Sequence, residues 1–230
     1  MVILMSKMIA KKFGHQTGIE TISLNEYSKL DSPVNSHADM LLCVIDNTIF
    51  CYDEYYKENP DIFAKIKKYN VLKSSHNCIS KYPYDIGLNV LVVGKCIFCK
   101  KKYTAKEILN YAALNNYKVI DVNQGYSCCS TLVLDKNSAI TSDTGIYNAL
   151  ISEGIDALLV STKNIKLDGY NCGFVGGSGC VLDKNVYFFG DISRLDDYEE
   201  IVRWLELRNY KFLPIISGDV YDFGGAKVLK

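Results

Sequence analysis

The chain has 230 residues, 48% of them hydrophobic, enough to bury a core without covalent staples and far from the composition of a disordered segment. Twenty-six basic residues balance 26 acidic ones, so the formal charge is zero, which argues against a nucleic-acid partner and leaves no polybasic patch for a membrane surface. Nine cysteines, an odd number, follow an N-terminus whose apolar run "VILM" is too short for a leader, and no run is long enough for a membrane helix; the expectation is a cytoplasmic protein with reduced thiols.

In chain order, the first strands are read in "VILMSKMIA" (2–10) and "IETISL" (19–24), joined by a short connector. Four phrases of the form apolar run, turn, apolar run follow: "LLCVIDNTIFCYD" (41–53), "VLVVGKCIFCKK" (90–101), "TLVLDKNSAITSD" (131–143) and "GCVLDKNVYFFGD" (179–191). Each reads as a β-hairpin, with Asp46, Gly94, Asp135 and Asp183 marking turns at a period of roughly 46 residues. The "CIFC" of the second hairpin, Cys96 to Cys99, reads as strand and not as a metal or dithiol pair, because residues three apart on a strand point to opposite faces.

A helical pattern follows each hairpin: 59–70, 104–117, 144–154 and 196–210. Thr104 with Glu107 has the spacing of a capping box, Asp143 or Thr144 and Asp196 or Asp197 suit N-caps, and Gly154 suits the position just past a helix end. Each helix hands over to a second apolar run, "VLKSS", "KVIDV", "DALLV" or "KFLPII". The unit is ββαβ, four times in full, and the fifth copy is assembled from "AKVL" at the C-terminus and the two N-terminal strands. The fold class expected is α/β: a single domain over 1–230, a five-bladed α/β propeller closed by pairing of the N- and C-terminal strands, which leaves no sheet edge exposed.

The loops between units differ in character: "NSHADM", "YPYDIG", "NQGYSCC", "DGYNCGFVGG" and "DVYDFGG". Pseudo-symmetry brings equivalent loops to one mouth, which gathers His37, Asp39, Asp85, Tyr126, Cys128, Cys129, Tyr170, Tyr221 and Asp222. Tyr84, Tyr170 and Tyr221 are read as rim packing with the hydroxyl in water, and His15 and His76 as surface residues.

Five such units, the H-x-D element at His37 to Asp39, and "GG" junctions before short strands resemble the pentein fold, the α/β propeller of the guanidino-group-modifying enzymes. More narrowly, "HADM", "NQGYSCCSTLVLD", "ITSDTGI", "CGFVGGSG" and the terminal "DFGG" are similar to an uncharacterised domain family within that superfamily. The resemblance implies a cysteine thiolate that attacks the central carbon of a guanidinium, a histidine that moves protons, carboxylates that grip the cation, and neither metal nor organic cofactor.

In this chain the residues that fit are Cys129 as nucleophile and His37 with Asp39, taken as two apart on an extended segment and so facing one way, while Asp85 and Asp222 supply substrate-binding carboxylates. Cys180 is the rival thiol, since "GGSGC" matches the family's nucleophile element, but it aligns with Cys43, Leu91 and Leu132 inside apolar runs, where packing is the expected job. The last repeat departs from the pattern: "GGAKVL" carries Lys227 and Val228 where many catalytic penteins place the cysteine. Two functions stay open, a cysteine-dependent hydrolase of a small cationic guanidino or amidino compound, and a non-catalytic pentein that binds a macromolecule, as a ribosome anti-association factor of that fold does. The sequence carries no signal of oligomeric state.

Overall fold

The computed structural model describes residues 1–230 and contains five three-stranded sheets of one design. They are formed by Leu42–Ile45, Thr48–Tyr52 and Asn70–Ser74; by Leu91–Val93, Cys96–Cys99 and Lys118–Asp121; by Thr131–Asp135, Ser138–Thr141 and Asp156–Leu159; by Gly179–Leu182, Asn185–Phe188 and Lys211–Pro214; and by Ala226–Leu229, Val2–Ser6 and Thr21–Leu24. In every blade the first two strands pair antiparallel and the third returns parallel to the second. A parallel return needs a crossover, and a helical segment supplies it each time. The fifth blade closes the ring as expected, with Val2 opposite Leu229 and Met5 opposite Ala226.

Turn chemistry follows the repeat. Asp46, Gly94 and Asp183 have φ of 51°, 58° and 53°, the left-handed conformation that a two-residue hairpin turn requires and that aspartate and glycine accept. The third hairpin differs: Asp135 is the last residue of its strand, the turn is Lys136–Asn137, and the register shifts at Ser138/Ala139, a bulge that moves the marker by one place. Gly154 has φ 73° just past its helix, as its spacing predicted, and Asn116 and Asn209 take the same conformation after theirs.

Three local expectations are corrected. The connector after Val2–Ser6 is a full helix, Lys7–Thr17, so "KMIA" is not strand; the Ser6 hydroxyl caps it by accepting from the Met8 N–H, and Ile9, Ala10 and Phe13 bury one face. The crossover of the first blade begins earlier than position 59 and is split into Asp53–Glu58 and Pro60–Ala64, with Pro60 opening the second piece. The capping box at 104–107 does not form: the helix starts at Lys106, and the Glu107 carboxylate reaches away to Ser74 and Ser75. Asp143 caps its helix as expected, accepting from the Ile146 N–H at 2.8 Å, and Asp197 occupies the N-cap position of its own, with its side chain accepting from the Ser161 N–H.

The first strands of all five blades line one cavity of about 200 Å³ on the ring axis. One valine from each, Val44, Val92, Val133, Val181 and Val228, stands half-buried around it as a collar. Outward of the axis lie fully buried aromatics such as Phe50, Tyr52, Tyr55, Phe98 and Phe188. Cys180 is buried against Ile3, Met5 and Phe189, the packing role its column predicted. Beyond the blades a two-stranded parallel ribbon, Ile165–Lys166 with Val220–Tyr221, ties two of the mouth loops together. No helix is long and apolar enough to cross a membrane.

Candidate functional site

At the end of the ring where the inter-blade loops meet, a cavity of about 260 Å³ is lined by His37, Cys129 and Asp222 together with Val34, Met40, Tyr126, Leu167, Tyr170, Phe174 and two further loop residues. Its lining contains no lysine or arginine. Three residues remote in sequence thus share one wall, as the repeat period required.

Asp222 is the most firmly held. The ribbon delivers it, its own N–H donating to the Lys166 carbonyl at 2.8 Å, and its carboxylate accepts the backbone N–H of Gly224 on one oxygen and of Phe174 on the other, both at 2.9 Å. It is 3% exposed, and burial followed by the charge of Asp39 pushes its pKa up to about 7. The Gly-Gly junctions account for its neighbours' close approach: a side-chain carbon at Gly177 would collide with the Asp222 carboxylate, and one at Gly224, where φ is 76°, would collide with His37.

His37 precedes the single-turn helix Ala38–Leu41, and its Nδ1 lies 3.7 Å from Asp222 Oδ1, too long for a hydrogen bond. Its Nε2 is buried and has no partner at all. Burial lowers the imidazole pKa, with the charge of Asp39 opposing only in part, so the ring is neutral with a nitrogen free to take a proton.

Helical geometry also corrects the expectation that His37 and Asp39 face one way. Residues two apart on a helix diverge, and Asp39 lines the axial cavity instead of the mouth. Both of its carboxylate oxygens are buried without a hydrogen-bond partner. Its charge nevertheless acts across the hub on both Asp222 and Cys129.

Cys129 is 5% exposed, and burial, then Asp39 and Asp222, hold its thiol well above the ordinary range. Asn89, which the sequence reading passed over, holds it directly: the side-chain amide donates to Cys129 Sγ at 2.9 Å and to the Asp39 carbonyl at 3.1 Å, while its oxygen accepts from the Cys128 N–H at 2.8 Å. A polar residue inside the apolar phrase "IGLNVLVV" was the signal. Cys128 points the other way, into the axial cavity, where Lys227 donates to its sulfur at 3.2 Å.

Asp85 is 8% exposed and stands one residue back from the mouth: Tyr126 donates its hydroxyl to Oδ2 at 2.7 Å, and Oδ1 is unpartnered. Tyr170 does the same for Asp31 at 2.7 Å, so two mouth tyrosines are pinned by carboxylates. Tyr221 stacks on Phe223 with ring centroids 5.5 Å apart, and Tyr84 packs edge-on to Tyr103 at 5.7 Å, the rim packing expected of them. His15 is exposed, but His76 is half-buried and lies 3.2 Å from the Tyr84 carbonyl, a partner its sequence neighbourhood did not suggest.

A sequence model of a family of unknown function (DUF6873) matches residues 4–226. No curated protein matches the sequence. Among solved structures the chain is similar to DDAH from Pseudomonas aeruginosa complexed with citrulline, at TM-score 0.57 and 7% identity, over 98% of this chain and 95% of that one. It is similar to an amidinotransferase of the saxitoxin biosynthetic pathway from Microseira wollei, at 0.57 and 11%, over 90% and 74% of the two chains. An agmatine deiminase from C. jejuni gives 0.52 and 10%, over 93% and 75%. At these identities the likeness is one of fold, and the fold is the pentein propeller.

Proposed function

We propose, for a chain that belongs to the family of unknown function DUF6873 and is folded as a pentein, that the mouth binds a small guanidino or amidino cation and that Cys129 and His37 hydrolyse it. The observation that carries this reading is the joint placement of a thiol, a neutral imidazole with an unpartnered Nε2, and a buried carboxylate on one cavity free of lysine and arginine. An open mouth of about 260 Å³ also supports it over a binder whose hub is filled.

The chemistry follows from the charges. A planar cation entering the mouth meets Asp222, whose oxygens each keep acceptor capacity after taking one backbone N–H. Its positive charge beside Cys129 offsets the burial and the two anions that hold the thiol un-ionised. The thiol proton passes to His37 Nε2, the sulfur electron pair attacks the central carbon, and the proton leaves on the departing amine or ammonia. Water then gives a proton to His37, its oxygen displaces the sulfur, and the thiol is restored, releasing a urea from a guanidine or an amide from an amidine. Asp85, behind Tyr126, adds negative charge at the rim.

With Asp31, Asp85 and Asp222 around the mouth and no cation to hold a carboxylate, the ligand is one without a carboxylate tail. The test is mass-spectrometric mapping of native protein treated with 2-chloroacetamidine, a guanidinium-like alkylator. Selective modification of Cys129, slowed by methylguanidine and reduced in Asp222→Asn, is expected; uniform modification of the nine cysteines, or none, overturns the reading.

A further inference from the structure

Cys128 and Cys129 are consecutive, yet they serve opposite cavities, Cys129 the mouth and Cys128 the axial channel. The channel is the larger puzzle. Its polar end holds a lysine and an aspartate of opposite charge that do not touch, and nothing in the chemistry of the mouth uses either the channel or the lysine.

We infer that the axial channel is a second ligand site and that it takes a small α-amino acid with an aliphatic side chain, its carboxylate on Lys227, its ammonium on Asp39 and its side chain within the valine collar.

Asp39 is 2% exposed and neither carboxylate oxygen has a hydrogen-bond partner, a state that is expensive for a buried anion unless a donor arrives. Lys227, at the same cavity, makes one hydrogen bond, to Cys128 Sγ at 3.2 Å, and no ion pair within 4.0 Å. That contact fixes the ammonium and leaves its remaining donors free. Burial works against the lysine's charge, but Cys128 and Asp39 outweigh it, and the group stays an ammonium.

A lumen with one fixed cation and one fixed anion discriminates by charge. A simple cation is repelled by Lys227 and a simple anion by Asp39, whereas a zwitterion satisfies both. The two charged ends are reached through apolar surface, Val44, Val92, Val133, Val181 and Val228, which selects an aliphatic side chain over a polar one. About 200 Å³ is below the range of drug-sized pockets and suits a molecule of this size.

Binding is read by titration calorimetry and by the rise in melting temperature of the full chain with L-valine, L-leucine, isovalerate, isobutylamine and L-lysine. L-valine or L-leucine is expected to bind, and isovalerate and isobutylamine, each lacking one charged group, to bind about tenfold or more weakly, the loss of one charge-assisted hydrogen bond. Lys227→Met and Asp39→Asn should each weaken L-valine to the same degree, and Val92→Phe, which fills the lumen from a half-exposed position, should abolish it while keeping a cooperative melt. If a charge variant fails to fold, the wild-type panel alone decides. Absence of L-valine and L-leucine binding at millimolar concentration, equal binding of isovalerate, or retained binding in Val92→Phe overturns the inference.

Discussion

A neutral imidazole with an idle nitrogen and a carboxylate poised near neutrality give the mouth its pH behaviour. Because the folded-state pKa of Asp222 is about 7 against an ordinary 3.8, the folded protein keeps a proton that the unfolded chain has already released between those values. The contribution of Asp222 to stability therefore declines as pH rises through that window, and the difference between wild type and Asp222→Asn should change with pH accordingly in chemical denaturation. Ligand binding runs the opposite way: a guanidinium ion prefers the ionised carboxylate, so methylguanidine should bind about tenfold more tightly at pH 8 than at pH 6. Calorimetry at the two pH values checks it, and a flat or inverted profile would remove Asp222 from the cation's binding site. At this scale the sequence was readable where the repeat period placed a residue, as for His37, Cys129 and Asp222, which share a cavity. It did not assign a partner to Asn89 or Lys227, although "IGLNVLVV" shows the first as a polar interruption and "GGAKVL" shows the second where the resemblance expects a cysteine. Asn89 lies just ahead of the strand Leu91–Val93 and Lys227 within Ala226–Leu229, and only the assembled ring shows that Asn89 faces the Cys129 thiol and Lys227 that of Cys128.

Elements of few residues decided what the two cavities contain. The turn Ala38–Leu41 is too short to leave a periodic signature, so "HADM" read as extended; folded as a helix, it sends His37 and Asp39 to different sides of the hub. Hairpins were legible because a turn with positive φ writes its requirement in the sequence as Asp or Gly, and the capping box at 104–107 misled because Glu107 found partners on a neighbouring strand. The same kind of turn makes Gly224 a sensitive point. Gly224→Ala must accept a left-handed φ of 76° and a contact with His37, and it should destabilise the protein by roughly 2–4 kcal/mol in chemical denaturation. A loss below about 1 kcal/mol would mean that the His37 loop yields easily, within the scatter of ordinary surface substitutions.

For the whole molecule, the ring places a collar of five valines and a cluster of loops at opposite ends of one axis, with a partition between them that includes Asp39 and Asn89. The architecture was legible as a period of hairpin and helix, and the closure as the need to bury two terminal edges; the existence of two cavities was not, because it depends on which way single side chains turn at the hub. The Asp39 carboxylate lines the channel, and its charge is felt by Asp222 and Cys129 in the mouth. An ammonium group seated on Asp39 from the channel would dim the negative field that a cation feels from the mouth, so the two occupants should antagonise one another. Thermodynamic linkage makes the penalty mutual: L-valine should weaken methylguanidine by the same factor by which methylguanidine weakens L-valine. A factor of one in paired titrations, each affinity unchanged by the other ligand, would mean that the two compartments are not talking through a common anion.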